Sequence, residues 1–149
     1  MKLPNGLALS FNEKILYVAD TYAKHILAFD YEIASGTATS PRIFLDFSDN
    51  DGAPDGITVD IDDCLWVASP GSWGISRYSP GAVRLQHIAL PARRPTSVGF
   101  GGDDMRTLFI TSSSRQSTAM EDLGLEGGAL FACSPLVAGV VSHRTNWCT

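Results

Sequence analysis

The sequence predicts an all-β protein, a partial β-propeller of about three four-stranded blades. Three observations indicate this fold: short apolar stretches of strand type, polar turns between them, and a pattern that occurs three times. The three copies begin at Pro4, Pro54 and Pro95, so their spacings are 50 and 41 residues. Four short strands in every roughly 40 to 50 residues are typical of propeller blades. A β-sandwich is the main alternative, but it does not require internal repeats.

The first blade-like repeat spans about residues 3–47. It opens with Pro4-Asn5-Gly6, and four short segments alternate or run apolar as buried strands do. They cover residues 7–10, 15–20, 25–30 and the neighbourhood of 42–45.

The second repeat, about 53–91, follows the same plan, and the third, about 94–133, departs from it. Predicted strands of the second repeat cover residues 57–60, 64–69, 75–78 and 84–90. The third repeat starts at Pro95-Thr96, continues over 108–112, and resumes over 127–133 after a long polar excursion. The tail, 134–149, has a weak apolar run and no clear strand pattern. We treat the whole chain as one partial propeller domain.

Composition and charge limit the classes of function. The chain has 149 residues, of which 44% are hydrophobic and 18% charged, as in a globular protein. A net charge of -5 argues against a nucleic-acid partner, which favours a basic face. No apolar run of about 18 residues predicts a membrane span. The N-terminus lacks a signal-peptide pattern, so we expect a cytoplasmic protein.

The three cysteines are Cys64, Cys133 and Cys148, an odd number without CxxC spacing. Free thiols in a reducing compartment are the simplest interpretation, although a fragment could lack a partner cysteine.

Three blades cannot close a propeller, which needs about four to eight. Two apolar blade faces would then remain uncovered. We therefore expect either a piece of a longer protein or one half of an assembly, with self-association through exposed blade faces.

Equivalent polar residues follow the three prolines: Asn5, Asp55 and Thr96. Inner strands of a propeller converge on its axis, so an amide oxygen, a carboxylate and a hydroxyl would meet at one channel mouth. Such a site suits calcium, magnesium or manganese. The alternative is that Asn-Gly and Asp-Gly are simply turn dipeptides.

Several other residues have plain structural interpretations. Tyr17, Trp66 and Phe109 occupy equivalent positions and are expected in the core. Trp73 could line the channel mouth or be a surface or inter-blade aromatic, and Asp20 could support the site or simply end a strand. The segment Asp49-Asn50-Asp51-Gly52 is interpreted as an acidic turn, since Ala53 breaks the EF-hand pattern. The three histidines show neither metal spacing nor a partner serine, which argues against a hydrolase triad: His25, His87 and His143.

Together these stretches resemble the second half of the SMP-30/gluconolactonase/regucalcin family. The resemblance runs from about Leu3 to Phe131. Its motifs are Pro4-Asn5-Gly6-Leu7-Ala8, Leu16-Tyr17-Val18-Ala19-Asp20-Thr21, Pro54-Asp55-Gly56-Ile57-Thr58-Val59-Asp60, Leu65-Trp66-Val67-Ala68 and Pro95-Thr96-Ser97-Val98-Gly99-Phe100-Gly101-Gly102. The resemblance implies a six-bladed propeller that holds one divalent cation and hydrolyses lactones of sugar acids or related esters.

The resemblance also assigns residues. It implies that Asn5 and Asp55 are metal ligands and that Asp55 is also the general base. Ca²⁺ is the expected ion, with Zn²⁺, Mn²⁺ or Mg²⁺ as alternatives, and a small lactone or ester is the expected partner. The family's glutamate ligand and its substrate-binding residues fall before Met1, which predicts a truncated lactonase that is inactive alone. The alternatives are a non-catalytic binding module and a propeller like strictosidine synthase or an arylesterase.

Overall fold

The computed structural model describes residues 1–49, 52–116, 118 and 120–141. Within these residues every regular element is a β-strand, and no helix is long and apolar enough to cross a bilayer. The eleven strands are β1 (Pro4–Leu9), β2 (Ile15–Asp20), β3 (His25–Glu32), β4 (Thr37–Asp46), β5 (Ile57–Val59), β6 (Leu65–Ala68), β7 (Gly74–Tyr78), β8 (Arg84–Ala89), β9 (Pro95–Gly101), β10 (Thr107–Ser112) and β11 (Leu130–Cys133).

The strands form three antiparallel sheets in which sequence neighbours are also spatial neighbours. The first sheet is β1-β2-β3-β4, the second is β5-β6-β7-β8, and the third is β9-β10-β11. This confirms the predicted all-β blades. The third sheet has three strands among the described residues rather than the expected four.

The strand boundaries differ most in the first sheet. β1 begins at Pro4 rather than near Leu7, because Pro4 already pairs with Asp20 across an irregularity in the ladder. β4 is longer than predicted and begins at Thr37, because its polar first half pairs with the exposed end of β3. Pairing with a neighbour, rather than apolar content, determines both boundaries.

The core consists of two apolar clusters between consecutive sheets. The first joins sheets one and two through residues such as Tyr17, Ile26 and Leu65. The second joins sheets two and three through Trp66, Ile75, Val98, Leu108 and Ile110. Because the second sheet contributes to both clusters, its central strand β6 is buried along its whole length.

Phe109 is not a core residue, contrary to the sequence prediction. Its neighbours Leu108 and Ile110 are fully buried, whereas Phe109 is 41% exposed. Side chains alternate between the two faces of a strand, and in β10 the inner face takes the two aliphatic residues. Tyr17 and Trp66 are buried as predicted.

The two terminal sheets expose apolar side chains on their outer faces. Leu7 on the first sheet is 63% exposed, and Leu130 on the third is 67% exposed. Leu7, Leu16, Val18 and Phe29 line a mostly apolar depression on the first sheet. These outer faces correspond to the surfaces by which blades pack in a propeller.

The described part of the tail crosses the second and third sheets. Gly139 forms a bridge with Asp60, and the Ile61 amide donates to the Ala138 carbonyl at 3.0 Å. A Cβ at Gly139 would lie 2.2 Å from the Phe100 side chain, so only glycine fits this crossing.

Asp60 anchors the second sheet. It is fully buried and accepts hydrogen bonds from the Trp66 Nε1 at 2.8 Å and the Arg77 Nε at 2.7 Å. The amides of Asp62 and Cys64 also donate to it. Buried charges need such partners, so this carboxylate has a structural role at the end of β5.

Candidate active site at the inner strands

The starts of the three inner strands lie next to one another. The Gly6 amide donates to the Asp55 carbonyl at 3.1 Å, and the Gly56 amide donates to the Thr96 carbonyl at 2.9 Å. These two bonds place the backbones at Asn5, Asp55 and Thr96 in succession from one sheet to the next. The backbone order is the one that the sequence repeat predicts.

Two glycines make this approach possible. A Cβ at Gly6 would lie 2.4 Å from the Asp55 carbonyl oxygen, and one at Gly56 would lie 2.5 Å from the Ser97 Cα. Neither glycine is among the described residues with positive φ. The Asn-Gly and Asp-Gly pairs therefore serve close backbone contact here, rather than a left-handed turn.

The Asn5 side chain is tied to the second inner strand. Its Nδ2 donates to the Thr21 Oγ1 at 2.7 Å, and the Thr21 hydroxyl in turn donates to the Pro54 carbonyl at 2.8 Å. This chain of bonds fixes the amide group beside the Pro54-Asp55 peptide. It leaves the Asn5 Oδ1 as an oxygen donor for a ligand.

Asp55 is half-buried, and burial raises the pKa of its carboxyl. The positive charge of Arg94 opposes this effect and lowers the pKa. Among the described residues no donor forms a hydrogen bond with the Asp55 carboxylate. A desolvated carboxylate without donors is costly unless a cation neutralises it, so the donor chemistry of Asn5 and Asp55 fits a hard divalent ion.

Arg94 is held by Glu121 from the long excursion between β10 and β11. The Arg94 Nη1 lies 3.2 Å from both carboxylate oxygens of Glu121, and the Arg93 Nε lies 3.6 Å from one of them. Sequence reasoning missed this cluster. The position of Arg94 directly before Pro95 was the available signal, whereas nothing local marks Glu121.

Thr96 and Asp20 have hydrogen-bond partners within the protein. The Thr96 Oγ1 lies 2.9 Å from the Thr111 Oγ1. Asp20 accepts hydrogen bonds from the amides of Lys2, Leu3 and Ala23. Burial acts to raise the pKa of Asp20, but these amides together lower it below its usual value. Asp20 therefore ends β2 and ties the N-terminal segment to the sheet.

Trp73 lies in the loop between β6 and β7, and its indole reaches the third repeat. A Cβ at Gly124 would lie 2.7 Å from the Trp73 ring, so the indole contacts the long excursion directly.

His87 does have a partner serine, contrary to the sequence interpretation. The Ser76 Oγ and the His87 Nδ1 are 3.0 Å apart, because Ser76 and His87 are direct partners across β7 and β8. Residues 50–51 of the acidic turn, His143 and Cys148 lie outside the described residues.

Ionisable metal-ligating side chains do not form a large cluster in the described part of the chain. Among the described residues, no group of three or more His, Cys, Asp or Glu side chains could hold a metal ion. The hydrogen bond from the Gly6 amide to the Asp55 carbonyl thus brings the backbones at Asn5 and Asp55 together.

Comparison with known proteins supports the resemblance. The model of the SMP-30/Gluconolactonase/LRE-like region matches residues 1–114. A 6-deoxy-6-sulfogluconolactonase from Pseudomonas putida is 38% identical over 144 residues, which are 95% of this chain and 46% of that protein. The chain spans about half the length of the curated relatives it matches, or less.

Solved structures agree with the fold. A luciferin-regenerating enzyme superposes with a TM-score of 0.84 at 29% identity, over 93% of this chain and 47% of that one. Regucalcin from Agrobacterium tumefaciens, described as a calcium-binding protein, gives 0.80 at 21% identity, over 92% of this chain and 47% of that one. With three blade-like sheets and a match over most of its length, the chain belongs to the SMP-30/gluconolactonase/LRE-like family.

Proposed function

We propose that this chain is part of a divalent-cation-dependent lactonase that hydrolyses sugar-acid lactones or related esters. One observation carries the proposal. The Asp55 carboxylate is half-buried and accepts no hydrogen bond among the described residues, and its backbone contacts Gly6, the residue after Asn5. The 6-deoxy-6-sulfogluconolactonase relative supports the reaction class, and a small-molecule lactone is the substrate we infer.

The cation would be held by the Asn5 Oδ1 and the Asp55 carboxylate. Hard oxygen donors of this kind favour Ca²⁺, with Mg²⁺, Mn²⁺ or Zn²⁺ as alternatives. The calcium-binding description of the Agrobacterium neighbour is consistent with this choice. When bound, the ion supplies a Lewis acid that polarises the lactone carbonyl.

Asp55 then orients a water molecule and accepts its proton. In the chain without the cation, burial raises the pKa of the Asp55 carboxyl above that of an exposed aspartate, which suits a general base. Arg94 acts against this basicity through its charge, and its pairing with Glu121 partly neutralises that charge. The Asn5 amide, fixed through Thr21, orients the site without taking part in proton transfer.

Two ligands bind a hard cation weakly, so we propose that the remaining ligands and the substrate pocket come from another part of the propeller. The chain would then be inactive alone. A non-catalytic binding module is the second candidate, favoured by the exposed Leu7 and Leu130 on the terminal sheets. In that case the outer faces pair with another chain or with a second copy. The described thiols, Cys64 and Cys133, are free, which fits the reducing cytoplasm as the location.

Calcium titration by calorimetry tests the site directly. We expect weak binding to the 149-residue chain and no measurable binding to Asp55→Asn. Asp103→Asn removes an exposed acid elsewhere and should leave the affinity unchanged. Equal calcium binding by Asp55→Asn and the parent chain would exclude Asp55 as a ligand.

A hydrolysis assay distinguishes the two candidate functions. Lactonase activity should be followed with D-glucono-1,5-lactone, with and without a separately expressed N-terminal half of a full-length relative. Calcium-dependent activity that needs the added half and is lost in Asp55→Asn supports the enzyme. A stable complex without calcium-dependent activity supports the binding module.

A further inference from the structure

A second cleft lies away from the inner strands, on the second sheet beside the connection between β4 and β5. Its volume is about 350 Å³, within the usual range for small-ligand pockets. Phe47 and Gly52 contribute from the β4–β5 connection, and the rest of the lining comes from the second sheet and its β6–β7 loop. Asn5, Asp55 and Thr96 do not line it.

One wall of the cleft is a polar pair on neighbouring strands. Ser76 and His87 are joined by the 3.0 Å contact described above. The imidazole lies over Gly74, since a Cβ there would be 2.6 Å from the His87 Nε2. A larger residue at position 74 would displace the ring. The local sequence therefore fixes the ring nitrogens of His87 relative to the Ser76 hydroxyl.

The charge of the cleft is opposite to that of the chain. The chain has 16 acidic and 11 basic Asp, Glu, Lys and Arg residues, yet the described lining contains Arg84 and His87 and no carboxylate. Burial first, and then the charge of Arg84, lower the pKa of His87, so the ring is neutral near pH 7. Arg84 is thus the positive charge of the described lining, and its natural complement is an anion.

Hydroxyl and aromatic groups complete the lining. Ser69 and Ser72 add hydroxyls, and Trp73 and Tyr78 add aromatic rings. Tyr78 meets Phe47 edge to face, with ring centroids 6.2 Å apart, which holds the two rings at the boundary between the sheets. Aromatic rings beside several hydroxyls suit a ligand with a sugar-like ring.

We propose that this cleft binds a small hydroxylated organic anion, a sugar acid or a sugar phosphate, with Arg84 contacting the anionic group and Ser76 and His87 contacting hydroxyls. The site is separate from the inner strands and does not depend on lactone hydrolysis. Carboxylate and phosphate share the chemistry that Arg84 recognises, and the test distinguishes them.

Calorimetry on the full 149-residue chain with EDTA present provides the test. The probes are D-glucuronate, D-glucose 6-phosphate and D-glucose, which share a ring and differ in the group at carbon six. We expect at least one of the two anions to bind and glucose to give no measurable heat. Binding of glucuronate alone identifies a carboxylate site, and binding of glucose 6-phosphate alone identifies a phosphate site.

Variants locate the binding. Arg84→Gln should weaken binding of the anion by about tenfold or more, because a charge-assisted contact is lost. His87→Gln or Ser76→Ala should weaken it by a smaller factor. Arg106→Gln removes an exposed arginine beside the β9–β10 turn and should have no effect. Circular dichroism checks that each variant folds.

Four outcomes would overturn the proposal. These are no binding of either anion, equal binding of glucose, equal affinities of Arg84→Gln and Arg106→Gln, and loss of binding in Asp55→Asn. The last would place the anion at the inner strands rather than in the cleft.

Discussion

Gly6→Ala should loosen the contact between the first two inner strands. The added methyl group would lie 2.4 Å from the Asp55 carbonyl oxygen and 2.7 Å from the Ile57 amide nitrogen, both backbone atoms. The strands must separate, which costs about 1–3 kcal/mol for overpacking. The 3.1 Å bond from Gly6 to Asp55 is lost as well, at about 0.5–1.5 kcal/mol. The combined loss is about 3 kcal/mol, or roughly 6–12 °C in Tm for a chain of this size.

Thermal and urea unfolding, followed by circular dichroism, measure this loss. Gly99→Ala is the matched control, because a Cβ there meets no atom within 4 Å, and it should change stability by less than about 1 kcal/mol. Calcium affinity should fall in Gly6→Ala and stay unchanged in Gly99→Ala. Indistinguishable unfolding curves for the two variants would refute the argument that glycine is needed for close approach.

Further predictions concern buried side chains. Asp60→Ala leaves buried donors without their acceptor and should reduce the free energy of unfolding, measured in urea, by about 3 kcal/mol. The control Asp62→Ala removes a mostly exposed carboxylate and should reduce it by less than about 1 kcal/mol. Since the folded-state pKa of Asp20 is lowered, its stabilising effect is present above its ordinary pKa and is lost as the pH falls through the folded value. Asp20→Asn should therefore flatten the decline in stability below about pH 4; an unchanged acid profile contradicts this. Burial raises the pKa of the Cys64 thiol, so in a background with both Cys133→Ser and Cys148→Ser this thiol should react with a thiol reagent far more slowly in the native than in the urea-unfolded chain.

The blade pattern was predictable because each strand carries its own signal. Proline followed by a small polar residue marks each inner strand, and aliphatic runs mark the buried central strands such as β6. The same signals led to Asn5 and Asp55. Their backbones lie next to each other because Gly6 and Gly56 allow close approach. The sequence contains both glycines, but the contacts that require them exist only in the folded structure.

Other features could not be read from the sequence, because they depend on register and on contacts between distant segments. The Ser76–His87 pair requires the exact alignment of β7 and β8. The Arg94–Glu121 pair joins residues 27 positions apart across an irregular excursion. Phe109 was misplaced because it faces the outer side of the terminal sheet, whereas the equivalent Tyr17 and Trp66 each face the next sheet along the chain and are buried against it.

Each sheet is built only from strands that are consecutive in the chain. Every ladder can therefore close as a hairpin soon after its second strand is synthesised, with a small loop-closure entropy. Folding can proceed vectorially along the nascent polypeptide, one meander after another. Since the second sheet shares a buried cluster with each neighbour, later meanders should stabilise earlier ones, and the cooperativity of unfolding should increase with the number of meanders present.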